Sequence, residues 1–133
     1  MPLHDKWLAW DKGQKDFSLA DFELAWTNQD GASRRFSCSR AQALQDGKEH
    51  PTQKPLALLK WTVQLMAPDA QLILDPFMGS GTTLVAAKSL ERKAIGIEIE
   101  EKYCEIAATR LEHEVFDFGE PEPSSQPEQM TLF

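Results

Sequence analysis

Nine residues, DPFMGSGTT at Asp75–Thr83, constrain what this chain can fold into more than any others. They follow QLILD at Gln71–Asp75, a short apolar run of strand type, and lead into LVAAKSLE, a helical segment. A strand ending on Asp75 delivers its carboxylate to the carboxyl edge of a sheet, where open α/β folds bind ligands. Gly79 and Gly81 permit a tight turn with close backbone approach, and Thr82 is placed to cap the next helix. Such a turn presents amides to a carboxylate or a phosphate, and the loop alone does not choose between them.

The flanking sequence extends this unit in both directions. PLALLKWTVQLM is apolar at Leu56, Leu59, Val63 and Met66, which predicts a helix with Pro55 in its first turn, broken at Pro68-Asp69. KAIGIEIE at Lys93–Glu100 is a second strand. EKYCEIAATRLEHE is an amphipathic helix with Tyr103, Ile106, Ala107 and Leu111 on one face. The result is one βαβ unit with a helix before and after, implying a parallel sheet with a right-handed crossover. Upstream, WLAW at Trp7–Trp10 and FELAW at Phe22–Trp26 read as two strands, their connection beginning with the turn Asp11–Gly13. Residues 31–50 are polar, basic and weakly patterned, which predicts a loop. Beyond Asp117, Pro, Glu, Ser and Gln dominate, the composition of a disordered tail. The chain thus divides into 1–49, a hairpin and basic loop; 50–116, the βαβ region; and 117–133, the tail.

Three ligand classes compete for the Gly-loop. A P-loop needs Lys after its last Gly, and none follows Gly81. A dinucleotide fingerprint needs a third Gly where this chain has Leu84. An adenosine-type ligand fits better, because Glu98 ends the next strand and a carboxylate there suits two ribose hydroxyls. A plain βα turn with a surface Glu stays open beside it.

Charge and the remaining composition mostly exclude. The net charge is −7, but residues 112–133 hold six acids and no Lys or Arg. Setting those aside leaves 15 acids against 14 bases, so the body is nearly neutral. Arg34, Arg35 and Arg40 are candidate phosphate contacts, of a kind that gives salt-dependent, sequence-independent binding; an ordinary solvated face explains them equally. No apolar run is long enough to span a membrane and the N-terminus does not read as a signal peptide, so a cytoplasmic location is expected. Cys38 and Cys104 are far apart, and neither they nor His4, His50 and His113 match a metal spacing, so no metal site is expected.

HPTQKP at His50–Pro55, DPFMGSGTT at Asp75–Thr83 and GIEIEEKYCEIAATRL at Gly96–Leu111 resemble, in this order, the C-terminal half of the DNA adenine-N6/cytosine-N4 methyltransferases. The likeness is to the permuted subgroup, in which the cofactor half follows the catalytic half. WDKG at Trp10–Gly13 and DFELAWT at Asp21–Thr27 are more loosely similar to phage-like members. The resemblance implies a partial Rossmann-like fold that binds S-adenosylmethionine, with 50–116 as the cofactor-binding region. It assigns Asp75, Phe77, Gly79 and Gly81, with Ser80 and Thr82 of the same loop, to the methionine part of the cofactor. Thr52, Gln53, Lys54 and Pro55 would close over that end. Glu98 would bind the ribose, with Ile99 and Tyr103 near the adenine. His50 is expected to be structural.

The family's [D/N/S]PP[Y/F/W] motif, whose polar groups hold the target amine and whose ring stacks on a flipped base, is missing: the chain has no Pro-Pro pair. No catalytic residue is therefore assigned. The resemblance implies DNA methylation of the restriction-modification type, on double-stranded DNA and with adenine N6 favoured, this chain supplying the cofactor part. Two alternatives stay open. One is a catalytically incomplete subunit or remnant that needs a complementary catalytic half. The other is an interaction protein acting through its last five residues. Those residues, with Gln129, Leu132 and Phe133 as anchors, resemble the bacterial sliding-clamp-binding pentapeptide.

Overall fold

The computed structural model of the chain describes residues 6–13, 20–39 and 53–113. Arg40, His50, Thr52 and the tail from 117 onward, with Gln129, Leu132 and Phe133, lie outside the described residues. The elements run β1 (Lys6–Asp11), β2 (Phe22–Thr27), β3 (Arg34–Ser37), α1 (Leu56–Met66), β4 (Leu72–Asp75), α2 (Thr82–Ser89), β5 (Lys93–Gly96) and α3 (Glu101–His113). The architecture is mixed α/β with parallel strands.

The strands form two sheets, ordered β2-β1-β3 and β4-β5. β4 and β5 are parallel, in register from Leu72↔Lys93 to Asp75↔Gly96, with α2 as their crossover. Alternation gives this pair two unlike faces. The face carrying Gly96 lies against α2, since a Cβ there would meet Leu84. The other face leaves Leu72, Leu74 and Ile95 exposed. β1 and β2 pair antiparallel from Lys6↔Thr27 to Asp11↔Phe22.

β3 corrects the loop expected over residues 31–50. Arg34–Ser37 has a single apolar residue, so its own pattern gives no strand signal. Its partners supply the strand instead. Leu8↔Arg34 through Asp11↔Ser37 pair in parallel, the Cys38 amide donates to Asp11 O at 3.0 Å, and Phe36 meets Trp61 of α1 at 5.3 Å between ring centroids. Packing outweighs local preference here, as is usual for strands. The buried Trp10 indole donates to Cys38 O at 3.0 Å, so its one polar group is satisfied.

α2 is the hub of the C-terminal part and packs against α1, α3, β4 and β5. Its Val85, Ala86 and Ala87 are fully buried. Two consecutive alanines let neighbours approach from different sides of one short helix. A helix of eight residues has little stability alone, so this packing holds it in place. α1 starts after the buried Pro55, whose carbonyl accepts from Leu59 at 3.2 Å. The Arg92 guanidinium donates to Ala67 O and Pro68 O, which ties the end of α1 to the start of β5.

An ion-pair cluster fastens the three-stranded sheet to the segment before α1. Glu23 of β2 accepts from Lys12 at 2.8 Å and from Lys54, and both ammonium groups lie within 6 Å of the Trp10 ring centroid, at 5.4 and 5.8 Å. Burial opposes the charge on Glu23, but the two lysines outweigh it and hold the carboxyl below its usual value. A lowered folded value adds stability above the ordinary carboxylate range, and that stability is lost as pH falls through the folded value. Glu23 and Lys54 are substantially solvated, so Glu23→Gln is expected to cost no more than about 1 kcal/mol at neutral pH. Urea unfolding of both proteins at neutral and acidic pH checks this; the gap should close on acidification.

Candidate functional site

β4 ends at Asp75, and its Oδ1 accepts the Phe77 amide at 3.0 Å, turning the chain out of the sheet. The Ile97 amide then donates to Asp75 O at 2.9 Å and the Met78 amide to Ile97 O at 3.0 Å, so the loop stays tied to the strand beside it. The Gly81 amide closes the turn onto Met78 O at 2.9 Å. Gly81 has φ +79°, and a Cβ there would lie 2.6 Å from Ala107 Cβ on α3. Both the backbone conformation and the close helix thus require glycine.

Thr82 does not cap α2 as expected. Gly81 occupies the cap position, its carbonyl accepting from Val85 at 3.0 Å, and Thr82 is the first helical residue. The Thr82 hydroxyl is buried and accepts instead from Arg110 at 3.1 Å.

Glu98 lies two residues beyond β5, not at the end of a longer strand. The physical reason is its carboxylate. Oε2 accepts the Gly79 amide at 3.0 Å, while Oε1 accepts Ile99 at 2.9 Å and Glu100 at 3.0 Å. Folding back onto its own turn takes the backbone out of the ladder. One side chain so joins the turns that follow two neighbouring parallel strands.

Between these turns and the segment before α1 lies a cleft of about 270 Å³. Gln53, Lys54, Asp75, Phe77, Gly79, Ser80, Thr82 and Glu98 all line it, so most of the sequence-derived cofactor residues converge. Ser80 Oγ donates to Gln53 Oε1 at 2.9 Å and closes one end. Pro55 and Gly81 are not among the lining residues. Ile99 is 94% exposed and, like Tyr103, does not line the cleft. Phe77 stands at the mouth, 88% exposed. Arg34 and Arg35 lie on opposite faces of the three-stranded sheet, with Arg35 3.7 Å from Asp11, so they form no shared patch.

Sequence reasoning missed Arg110, which bonds the loop three times, and Leu59, Met78 and Thr83, which also line the cleft. The available signal for Arg110 was its spacing, three residues after the buried Ala107 on one helix face. Chemically, the cleft sets two carboxylates, Asp75 and Glu98, beside glycine backbone. Such a site favours a ligand with hydroxyls and positive charge, approached closely by main chain. Among the described residues no cluster of three or more His, Cys, Asp or Glu is placed to hold a metal ion, and no helix is long and apolar enough to cross a membrane.

The family model for DNA methylases of the N6/N4 class matches residues 3–109. The chain belongs to this DNA methylase family. Type II methyltransferase M2.DpnII of Streptococcus pneumoniae is 52% identical over 66 residues, 50% of this chain and 25% of that protein. M.HindIII of Haemophilus influenzae is 41% identical over 87 residues, 65% of this chain and 28% of its own length. The chain therefore spans about a quarter of the length of these curated relatives. Among solved structures, an M1.HpyAVI–SAM complex superposes with a TM-score of 0.62 at 30% identity, over 79% of this chain and 60% of that one. The cytosine-N4-specific PvuII methyltransferase, at 19% identity and a TM-score of 0.59 over 79% and 50%, shares the fold. The partial methyltransferase fold expected from the sequence is thus the one observed.

In this chain, Gly81→Ala is expected to cost about 2 kcal/mol or more, because left-handed strain and overpacking against Ala107 add. The urea midpoint of the variant, compared with wild type at unchanged m-value, measures it.

Proposed function

We propose that the cleft binds S-adenosylmethionine and that these residues are the cofactor-binding part of a DNA amino-methyltransferase, adenine N6 favoured over cytosine N4. One observation carries the reading: Asp75, the Gly79–Gly81 turn and Glu98 meet in one cleft at the carboxyl ends of two adjacent parallel strands. Support comes from M1.HpyAVI, a 30% identical relative with a crystal structure of its SAM complex.

The residues present fit such a ligand. The Asp75 and Glu98 carboxylates suit its cationic centres and ribose hydroxyls, and the glycine turn lets backbone approach without side-chain obstruction. Glu98 is held by three backbone amides before any ligand arrives, so little ordering is left for binding to impose. Gln53, bonded to Ser80, closes the methionine end. Phe77 offers an exposed ring at the mouth. The bound cofactor supplies an electrophilic methyl group on a cationic sulfur. Acceptance by an amino nitrogen of double-stranded DNA needs groups like those of the [D/N/S]PP[Y/F/W] motif, which a complementary catalytic part would provide. The setting is cytoplasmic DNA modification of the restriction-modification type.

Calorimetric titration with S-adenosylmethionine tests the binding claim. Wild type is expected to bind saturably and Asp75→Ala about tenfold more weakly or worse, the effect of losing a hydrogen-bonded carboxylate. No heat and no thermal shift with wild type would end the reading. Incubation with DNA and labelled cofactor tests the second part. This chain alone is expected to transfer no label, and robust labelling of adenine would overturn that claim.

A further inference from the structure

Arg110 sits near the end of α3, behind the Gly-loop and outside the cleft lining. Its Nη1 donates to Ser80 O at 2.6 Å, Ser80 Oγ at 3.1 Å and Thr82 Oγ1 at 3.1 Å. Ser80 and Thr82 are buried, so these oxygens are largely withdrawn from water and depend on protein donors. The approach is made possible one turn earlier, where Ala107 presses against Gly81 closely enough to exclude a Cβ. Ala107 and Arg110 share a helix face.

The polarity of this network matters. A serine hydroxyl has one hydrogen and two acceptor directions. Because Arg110 donates to Ser80 Oγ, the serine hydrogen is directed onward, to Gln53 Oε1 at 2.9 Å. Gln53 then turns its carbonyl oxygen toward the loop, and its amide group necessarily points the other way. A side chain behind the loop thus sets the orientation of one that lines the front of the cleft. We infer that Arg110 is a positioning residue that acts through Ser80 on Gln53 and fixes the methionine end of the pocket, without touching the ligand itself. This rests on the reading of the cleft as an S-adenosylmethionine site.

The test compares two ligands that differ at that end. S-adenosylmethionine carries the amino-acid part, and 5′-methylthioadenosine lacks it. Both are titrated into the full chain as wild type, Arg110→Met and Ser80→Ala, with melting temperatures recorded. Arg110→Met is expected to weaken S-adenosylmethionine about tenfold, yet leave 5′-methylthioadenosine within about twofold, the scale of one or two lost hydrogen bonds. Ser80→Ala breaks the relay at its middle while leaving Arg110 its bonds to Ser80 O and Thr82 Oγ1. It should reproduce the selective loss even if Arg110→Met does not fold. The double variant should lose no more than the worse single one, as members of one chain are coupled. Equal weakening of both ligands, or wild-type affinity for S-adenosylmethionine in Ser80→Ala, would overturn the assignment. If the wild-type chain binds neither ligand, the cofactor reading itself falls and this inference with it.

Discussion

The Glu98 carboxylate is the interaction on which the rest of the site depends. Each turn after a parallel strand leaves amides that neither the strand nor the next helix satisfies, and burying such amides unpaired is costly. Glu98 takes one from the first turn, at Gly79, and two from its own, at Ile99 and Glu100. Bonds to an ionised acceptor are stronger than neutral ones. One side chain therefore ties the two turns together. The same bonds explain why β5 stops at Gly96 and why the site needs no rearrangement to put both carboxylates in one cleft.

Behind that strut, close packing does what hydrogen bonds cannot. Gly81 admits Ala107 from α3, and Gly96 admits Met78 and Leu84 from the other side. α2 carries alanines where its neighbours press on it. Small residues at these points bring α3 within reach of the loop, and Arg110 exploits that reach. A larger residue at either glycine would move the helix or the strand by more than a hydrogen bond tolerates. Side-chain size at three or four positions so governs the polar geometry of the cleft.

Much of this was legible in the sequence, because the relevant signals are local. Helical spacing from Leu56 to Met66, the apolar run before Asp75 and the paired glycines each announce an element without help from elsewhere. What was not legible depends on distant partners. β3 exists because β1 and Trp61 accept it, not because Arg34–Ser37 looks extended. Thr82 reads as a cap from its neighbours in sequence, yet Gly81 takes the cap and Arg110, 28 positions away, takes the hydroxyl. The spacing from Gly79 to Glu98 was readable and correct in placing them together. The amide bonds that hold the carboxylate were not, since they follow from how both turns fold. Ile99, in the turn before α3, and Tyr103, on α3, do not line the cleft, and the motif that names them carries no signal of where their side chains point.

Lys54 shows why the N-terminal sheet is part of this site rather than an appendage. The residue lines the cleft, yet its ammonium is bound by Glu23 of β2 and lies over the Trp10 ring of β1. Its stem therefore serves the wall while its charge serves the junction, a division that long cationic side chains readily make. A second cavity of about 220 Å³, lined by Trp10, Glu23, Leu58 and Trp61 among others, shares Lys54 and Leu59 with the cleft as a common wall. Without β1 and β2, Lys54 would keep neither its counter-ion nor its aromatic seat, and the ammonium would be released beside Gln53. The sheet thus sets the charge on one side of the cleft, and the family match spans both parts of the chain.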